Sequence, residues 1–311
     1  MSDASGTDTP KWTDEPRVTV ESYADSMDRL RGYGVPKCDR GWTEFRPNYV
    51  EEQGFSLANV PALLELIRAA QAVDPDEEGS EALDSTSMHA WRVLGQLRAT
   101  EAVGPLLDIL NTAAANDNEW ATDEFQYVFA MIGTAAIEPL KAFLADRSRE
   151  FYARCPVLSA LSCIAQSHSE VRQPIVDLFI RMLSEKTDFE PEMNGFAVCE
   201  LIDLRATEAT DVVEHAFAED RVDEFIVGWD DFSEELGVAG TGIISDRPKP
   251  RTPLEALNRF FPESEKEELE PPDVFQGRDS SPGPERKKGE KRRKKSKRKQ
   301  QSRSRRQNRR K

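Results

Sequence analysis

Apolar residues recur three and four positions apart through most of the middle of the chain, and the blocks that carry them resemble one another. One block runs from Thr134 to Leu144, with Leu140, Phe143 and Leu144 on one helical face after Pro139. Related blocks stand at Glu101–Leu110 around Pro105 and at Val171–Phe179 around Pro174. A fourth begins at Leu204, where Leu204–Ala209 repeats the six residues of Leu97–Ala102. Taking Pro105, Pro139, Pro174 and Val212 as equivalent gives steps of 34, 35 and 38 residues. A weaker first copy, Asn59–Ile67 around Pro61, lies 44 residues before Pro105, in a register left open by one residue. Proline costs nothing in the first turn of a helix, whose N–H groups lack intrahelical partners. Ahead of each such helix lies another, as in Glu124–Ile132, which Gly133 closes. One pair cannot bury both of its apolar faces, so a period near 35 residues means stacked pairs. The expected fold is all-α, an α-solenoid of about five helix pairs.

The same pattern divides the chain. Residues 1–16 hold little to bury and are expected to be disordered. Residues 17–55 read as an N-terminal cap, opening with a short helix or strand from Val18 to Arg31. Its aromatics Tyr33, Trp42, Phe45 and Tyr49 cover the open end of the first helix layer, or else form an aromatic binding patch. The array spans 56–238, beginning with a helix from Leu57 to Ala72. An acidic insertion from Asp74 to Glu81 then explains the long first step. The pairs that follow are Met88–Arg98 with Glu101–Ala114, Glu119–Ile132 with Ala135–Ala145, Tyr152–Gln166 with Glu170–Glu185, and Glu192–Leu204 with Glu208–Ala218. Val222–Val238 closes the array, with Trp229 and Phe232 packed on the final layer. Residues 239–284 form a linker in which a short helix is expected over 253–261. The basic tail, 285–311, has no apolar stripe and is expected to be disordered.

Charge sharpens this division. The net charge of −15 conceals 17 basic and 2 acidic residues between Pro284 and Lys311, a local +15. The rest of the chain keeps 25 of the 42 basic and 55 of the 57 acidic residues, a net of −30. The tail side chains Lys291, Arg292, Arg293, Lys294, Lys295, Lys297, Arg298, Lys299, Arg303, Arg305, Arg306, Arg309 and Arg310 are candidate polyanion contacts. Even about eight phosphate contacts give strong, salt-sensitive binding indifferent to sequence. RNA, DNA or the ribosome is the first target. The second is the acidic body itself, which a linker with a coil size of about 35–40 Å lets the tail reach.

On the second helices, Asp108, Asp177 and Glu214 fall within one or two residues of equivalent points, and Glu138 and Asp211 lie near helix starts. These five are candidate partner contacts, which the family resemblance given below would place in one groove, and an acidic groove suits a basic partner. They are also what ordinary solvent-facing residues would look like. The catalytic inventory is short: three histidines, His89, His168 and His215, and no HExxH, GxSxG, P-loop or dinucleotide fingerprint. Cys38, Cys155, Cys163 and Cys199 form no CxxC pair, so neither a metal nor another cofactor is expected. No signal peptide and no membrane-length apolar run are read, and the expected location is cytoplasmic.

Residues 46–50 (Arg-Pro-Asn-Tyr-Val), 89–97 (His-Ala-Trp-Arg-Val-Leu-Gly-Gln-Leu), Met131-Ile132-Gly133 and Ala216–Trp229 carry a family likeness. The chain resembles HEAT-like repeat proteins of the phycobilisome-lyase type, and specifically an uncharacterised bacterial family built from such repeats, over roughly Val35 to Val238. The resemblance implies a HEAT-like solenoid whose second helices line the concave face. Some proteins of this kind end in a cysteine-rich SEC-C-type zinc motif, but this chain has no cysteine after Cys199, so no zinc role is carried over. The expected function is a non-enzymatic scaffold that holds a protein partner of unknown identity and is tethered or shielded by its tail. The alternative implied by the repeat type is a bilin-lyase-like or chaperone role.

Overall fold

A computed structural model of the chain describes residues 20–36, 47–73, 80–116, 118–184 and 189–244. The expectations for 1–16, Trp42, Phe45, the start of the acidic insertion, the 253–261 helix and the tail lie outside these residues. Within them the structure is all-helical, with no strand and twelve α-helices.

The helices alternate between two sets. The first comprises α1 (Val20–Arg31), α4 (Ser80–Gln96), α6 (Glu119–Ile132), α8 (Phe151–Ser167), α10 (Pro191–Asp203) and α12 (Trp229–Leu236). The second comprises α3 (Val60–Ala72), α5 (Val103–Ala115), α7 (Ile137–Ala145), α9 (Arg172–Ser184) and α11 (Thr210–Ala218); the five-residue α2 (Tyr49–Gln53) lies apart from both. Each helix of the first set packs on the next. In the second set α3 packs on α5, α5 on α7 and α9 on α11, whereas α7 and α9 scarcely touch. Neighbours on several sides bury α8 and α10 deeply, whereas α12 buries Phe232 alone. Met88–Leu94 and Ala153–Ser162 are covered on every face, as expected of helices without a polar stripe.

Every helix of the second set is entered through one 3-10 turn, at Leu57–Asn59, Thr100–Ala102, Thr134–Ala136, Ser169–Val171 and Thr207–Ala209. Pro105, Pro139 and Pro174 are each the third residue of the helix that follows, and Val212 occupies the same place in α11. Pro61 is the second residue of α3, which settles the open register. Leu140, Phe143 and Leu144 are buried as their spacing predicts.

The repeated sextet folds alike at both sites. Arg98 and Arg205 adopt left-handed φ values of 51° and 53°. Ala99 N–H donates to Leu94 C=O at 3.1 Å and Ala206 N–H to Leu201 C=O at 3.0 Å, and both alanines are fully buried. A left-handed conformation strains any residue with a Cβ. Arg98 is exposed, so Arg98→Gly is expected to raise unfolding free energy by about 0.5–1 kcal/mol, while Arg98→Ala gives no gain. Urea midpoints decide between these outcomes.

Arginines also tie successive elements together by capping helix ends, whose last carbonyls lack partners. Arg29 Nη1 donates to Gln53 C=O at 2.9 Å, Arg172 Nη2 to Leu204 C=O at 2.8 Å and Arg205 Nη1 to Glu235 C=O at 2.7 Å. Arg221 Nη1 donates to Leu183 C=O. Some of the basic charge of the body is thereby turned inward.

Candidate partner-binding surface

The structure separates the five acidic groove candidates. Asp108 and Asp177 are both the sixth residue of their helices, and Glu138 and Asp211 are both the second. Asp108 is exposed and pairs with Arg149 Nη1 at 2.9 Å. Glu138, 80% exposed, pairs with Lys141 Nζ at 2.8 Å. Asp177 is half-buried and accepts from Gln173 Nε2 at 2.9 Å, and Asp211 is exposed.

Glu214 departs from this set. It is the fifth residue of α11, and a shift of one residue turns a helical side chain by about 100°, here from the outside to the inside. Glu214 is 1% exposed. Its carboxylate accepts from Thr241 N–H at 2.6 Å, Thr241 Oγ1–H at 2.9 Å and Gly242 N–H at 2.9 Å. Burial works to raise its pKa, but these donors outweigh burial and hold it below the ordinary carboxylate value. Glu214 thus fastens the segment after α12 to α11 and is not offered to a partner. Glycine at 240 is what lets that segment close, because a Cβ there would lie 2.6 Å from both Glu214 Oε1 and Trp229 Cζ2.

The N-terminal end holds a polar network that apolar periodicity does not reveal. Gln96 clamps the segment before α2, accepting from Tyr49 N–H at 3.0 Å and donating to Pro47 C=O at 2.9 Å. His89 Nε2 lies 2.9 Å from Gly34 C=O, which only accepts, so Nε2 carries the proton. Nδ1 is then left to accept from Tyr49 Oη–H at 2.5 Å. Tyr33 packs edge-on against Tyr49 with centroids 5.1 Å apart. Beyond Tyr49 lies Arg92, held by Glu124 through both carboxylate oxygens, and Trp91 Nε1–H donates to Glu124 Oε2 at 2.8 Å. The Arg92 and Glu124 side chains are 5% and 6% exposed. The segment around Tyr49 and the helix residues His89–Gln96 are therefore in direct contact.

Burial pushes the Tyr49 hydroxyl up to about 12, with Arg92 opposing, and lowers the pKa of His89, a shift that the nearby Arg92 charge reinforces. The unfolded chain takes up a proton on His89 more readily than the folded one. The folded state therefore has its full advantage above the unfolded pKa of about 6.5 and loses it as pH falls through the window below. Unfolding free energy is expected to drop between pH 7 and pH 5, and His89→Gln to flatten that dependence; equal slopes in the two proteins contradict the assignment.

Between α7 and α9, where the second set is least in contact, a surface cleft of about 250 Å3 is lined by Ile137, Val171, Pro174 and Ile175, with Glu138 and Lys141 at its rim. Cys155 is buried and Cys163 and Cys199 half-buried. Among the described residues no three His, Cys, Asp or Glu side chains come together as metal ligands would. No single helix there is long and apolar enough to cross a membrane.

No curated protein and no solved structure matches the chain. One family model does, over residues 57–251, from the turn that opens α3 to beyond α12. That is more than half of the chain, which therefore belongs to the family described as protein of unknown function (DUF1186).

Proposed function

We propose that the helix pairs form a HEAT-like α-solenoid that works as a non-enzymatic scaffold. Its second helices hold a basic protein partner, and its tail binds a polyanion such as RNA, DNA or the ribosome. The observation that carries this reading is the outward placement of Asp108 on α5, Glu138 on α7 and Asp211 on α11, with the partly exposed Asp177 on α9 between the last two. Acidic side chains at repeated positions make a surface potential to which cationic partners are steered. The tail supplies opposite charge for a different ligand.

Removing residues 285–311 tests the tether. The full chain is expected to bind a labelled single-stranded RNA at low salt and to lose affinity by about a thousandfold or more between 50 and 200 mM salt. The truncated chain is expected not to bind it. Equal affinity of the two forms overturns the tether.

A further inference from the structure

The cleft between α7 and α9 has the dimensions and the rim of a pocket for one side chain. Its floor is aliphatic, from Ile137 on α7 and Val171, Pro174 and Ile175 at the start of α9. At about 250 Å3 it falls below the roughly 300–1,000 Å3 typical of small-molecule sites, and its polar lining is Thr134, Glu138 and Lys141, the last two already paired with each other. A single large apolar side chain delivered by a partner is the occupant that such a space suits, as buried anchors do at protein interfaces.

The surroundings say what the rest of that partner carries. Glu138 stands on the α7 rim. Asp177 lies three residues beyond Pro174, hence on the same face of α9. Glu170, exposed, immediately precedes Val171. Against these three carboxylates stand Lys141, which Glu138 already engages at 2.8 Å, His168, whose Nδ1 lies 3.6 Å from Glu170, and Arg172, whose guanidinium is turned to Leu204 C=O and Glu208. The site is thus apolar at the floor and acidic at the edge. An acidic segment would be repelled there, and an uncharged one would leave the carboxylates unused.

We infer that this cleft takes a large aliphatic or aromatic residue from a lysine- and arginine-rich segment of a partner protein. α5 packs on α7 and α9 on α11, whereas α7 and α9 stand apart and leave room for the cleft. α7 is also the shorter of the two, nine residues against thirteen. The inference rests on the second helices being the partner surface and adds where the anchor goes.

The test uses the full chain and labelled peptides rich in lysine and arginine, one with a central leucine and one with serine in its place. The leucine peptide is expected to bind about tenfold more tightly, which is about 1.4 kcal/mol. Thr134→Trp, at the exposed turn that opens onto the cleft, is expected to erase this preference by filling the space and to leave the serine peptide unaffected. Thermal unfolding of the variant confirms that it is folded. If both peptides bind alike and Thr134→Trp changes nothing, while Glu138→Lys weakens both, the acidic surface stands and the cleft inference falls. If neither peptide binds at low salt, both fall.

Discussion

Glu124→Ala is expected to lower the unfolding free energy by about 3–5 kcal/mol, the largest loss anticipated for any single side chain here. Glu124 joins α6 to α4 by accepting from Arg92 Nε at 2.9 Å, from Arg92 Nη2 and from Trp91 Nε1 at 2.8 Å, all out of contact with water. Removing the carboxylate takes the acceptor from the Trp91 indole N–H and the counter-charge from the Arg92 guanidinium, in a place where burial disfavours the charge. The loss reflects an abandoned charge more than the worth of the pair, so replacing both partners by apolar residues should be much milder. Arg92→Met combined with Glu124→Leu is expected to recover most of the stability. Urea unfolding of the three proteins checks this, and a loss below about 1 kcal/mol for Glu124→Ala contradicts it.

The second large effect is expected near the C-terminal end of the described residues. Glu214→Ala removes the acceptor of Thr241 N–H, Thr241 Oγ1–H and Gly242 N–H. Some of these donors regain water once the segment lets go, so the expected cost is about 1–3 kcal/mol, accompanied by fast amide exchange at residues 241–243. Gly240→Ala should produce the same local release by steric means, because its Cβ would run into Glu214 and Trp229. The pKa of Glu214 is depressed in the folded state, so its contribution is complete above the unfolded carboxylate pKa. That contribution fades as pH falls through the lower, folded value. Unchanged exchange at residues 241–243 in both variants would show that the segment is held by something else.

How far the sequence reveals this structure depends on the kind of residue that marks each feature. Prolines in the first turn and leucines at helical spacing locate the second helices within a few residues, because both mark a backbone position directly. The sextet shared by Leu97–Ala102 and Leu204–Ala209 folds alike at both sites, but its recurrence alone does not reveal the left-handed arginine. Charged residues turned inward are a different matter. Arg92 and Glu124 look like solvent-facing positions, since partners on neighbouring helices and 32 residues apart leave no periodic trace. The available signal is weak: Trp91 beside Arg92, and Glu124 beside Phe125, each next to an apolar run.

Register errors of one residue matter more for site residues than for the fold. Asp108, Asp177 and Glu214 look interchangeable along the chain, yet one residue of displacement makes Glu214 an internal fastener. The Gly240-Thr241-Gly242 run shows only where the helical pattern breaks and does not say which carboxylate it meets. α2 was hidden because five residues are too few to show a period, and its place depends on tertiary bonds from Gln96 and His89. The cleft between α7 and α9 leaves no mark in the sequence, since it arises from how far two helices stand apart.

The account depends most on the acidic second helices being a binding surface. Reversing Glu138, Asp177 and Asp211 together to lysine and titrating the leucine-centred basic peptide by fluorescence anisotropy at low salt tests this most directly. The account predicts at least a tenfold loss of affinity that shrinks as salt is raised, in a protein whose thermal unfolding is little changed. Affinity equal to that of the unaltered chain, at every salt concentration, would contradict it.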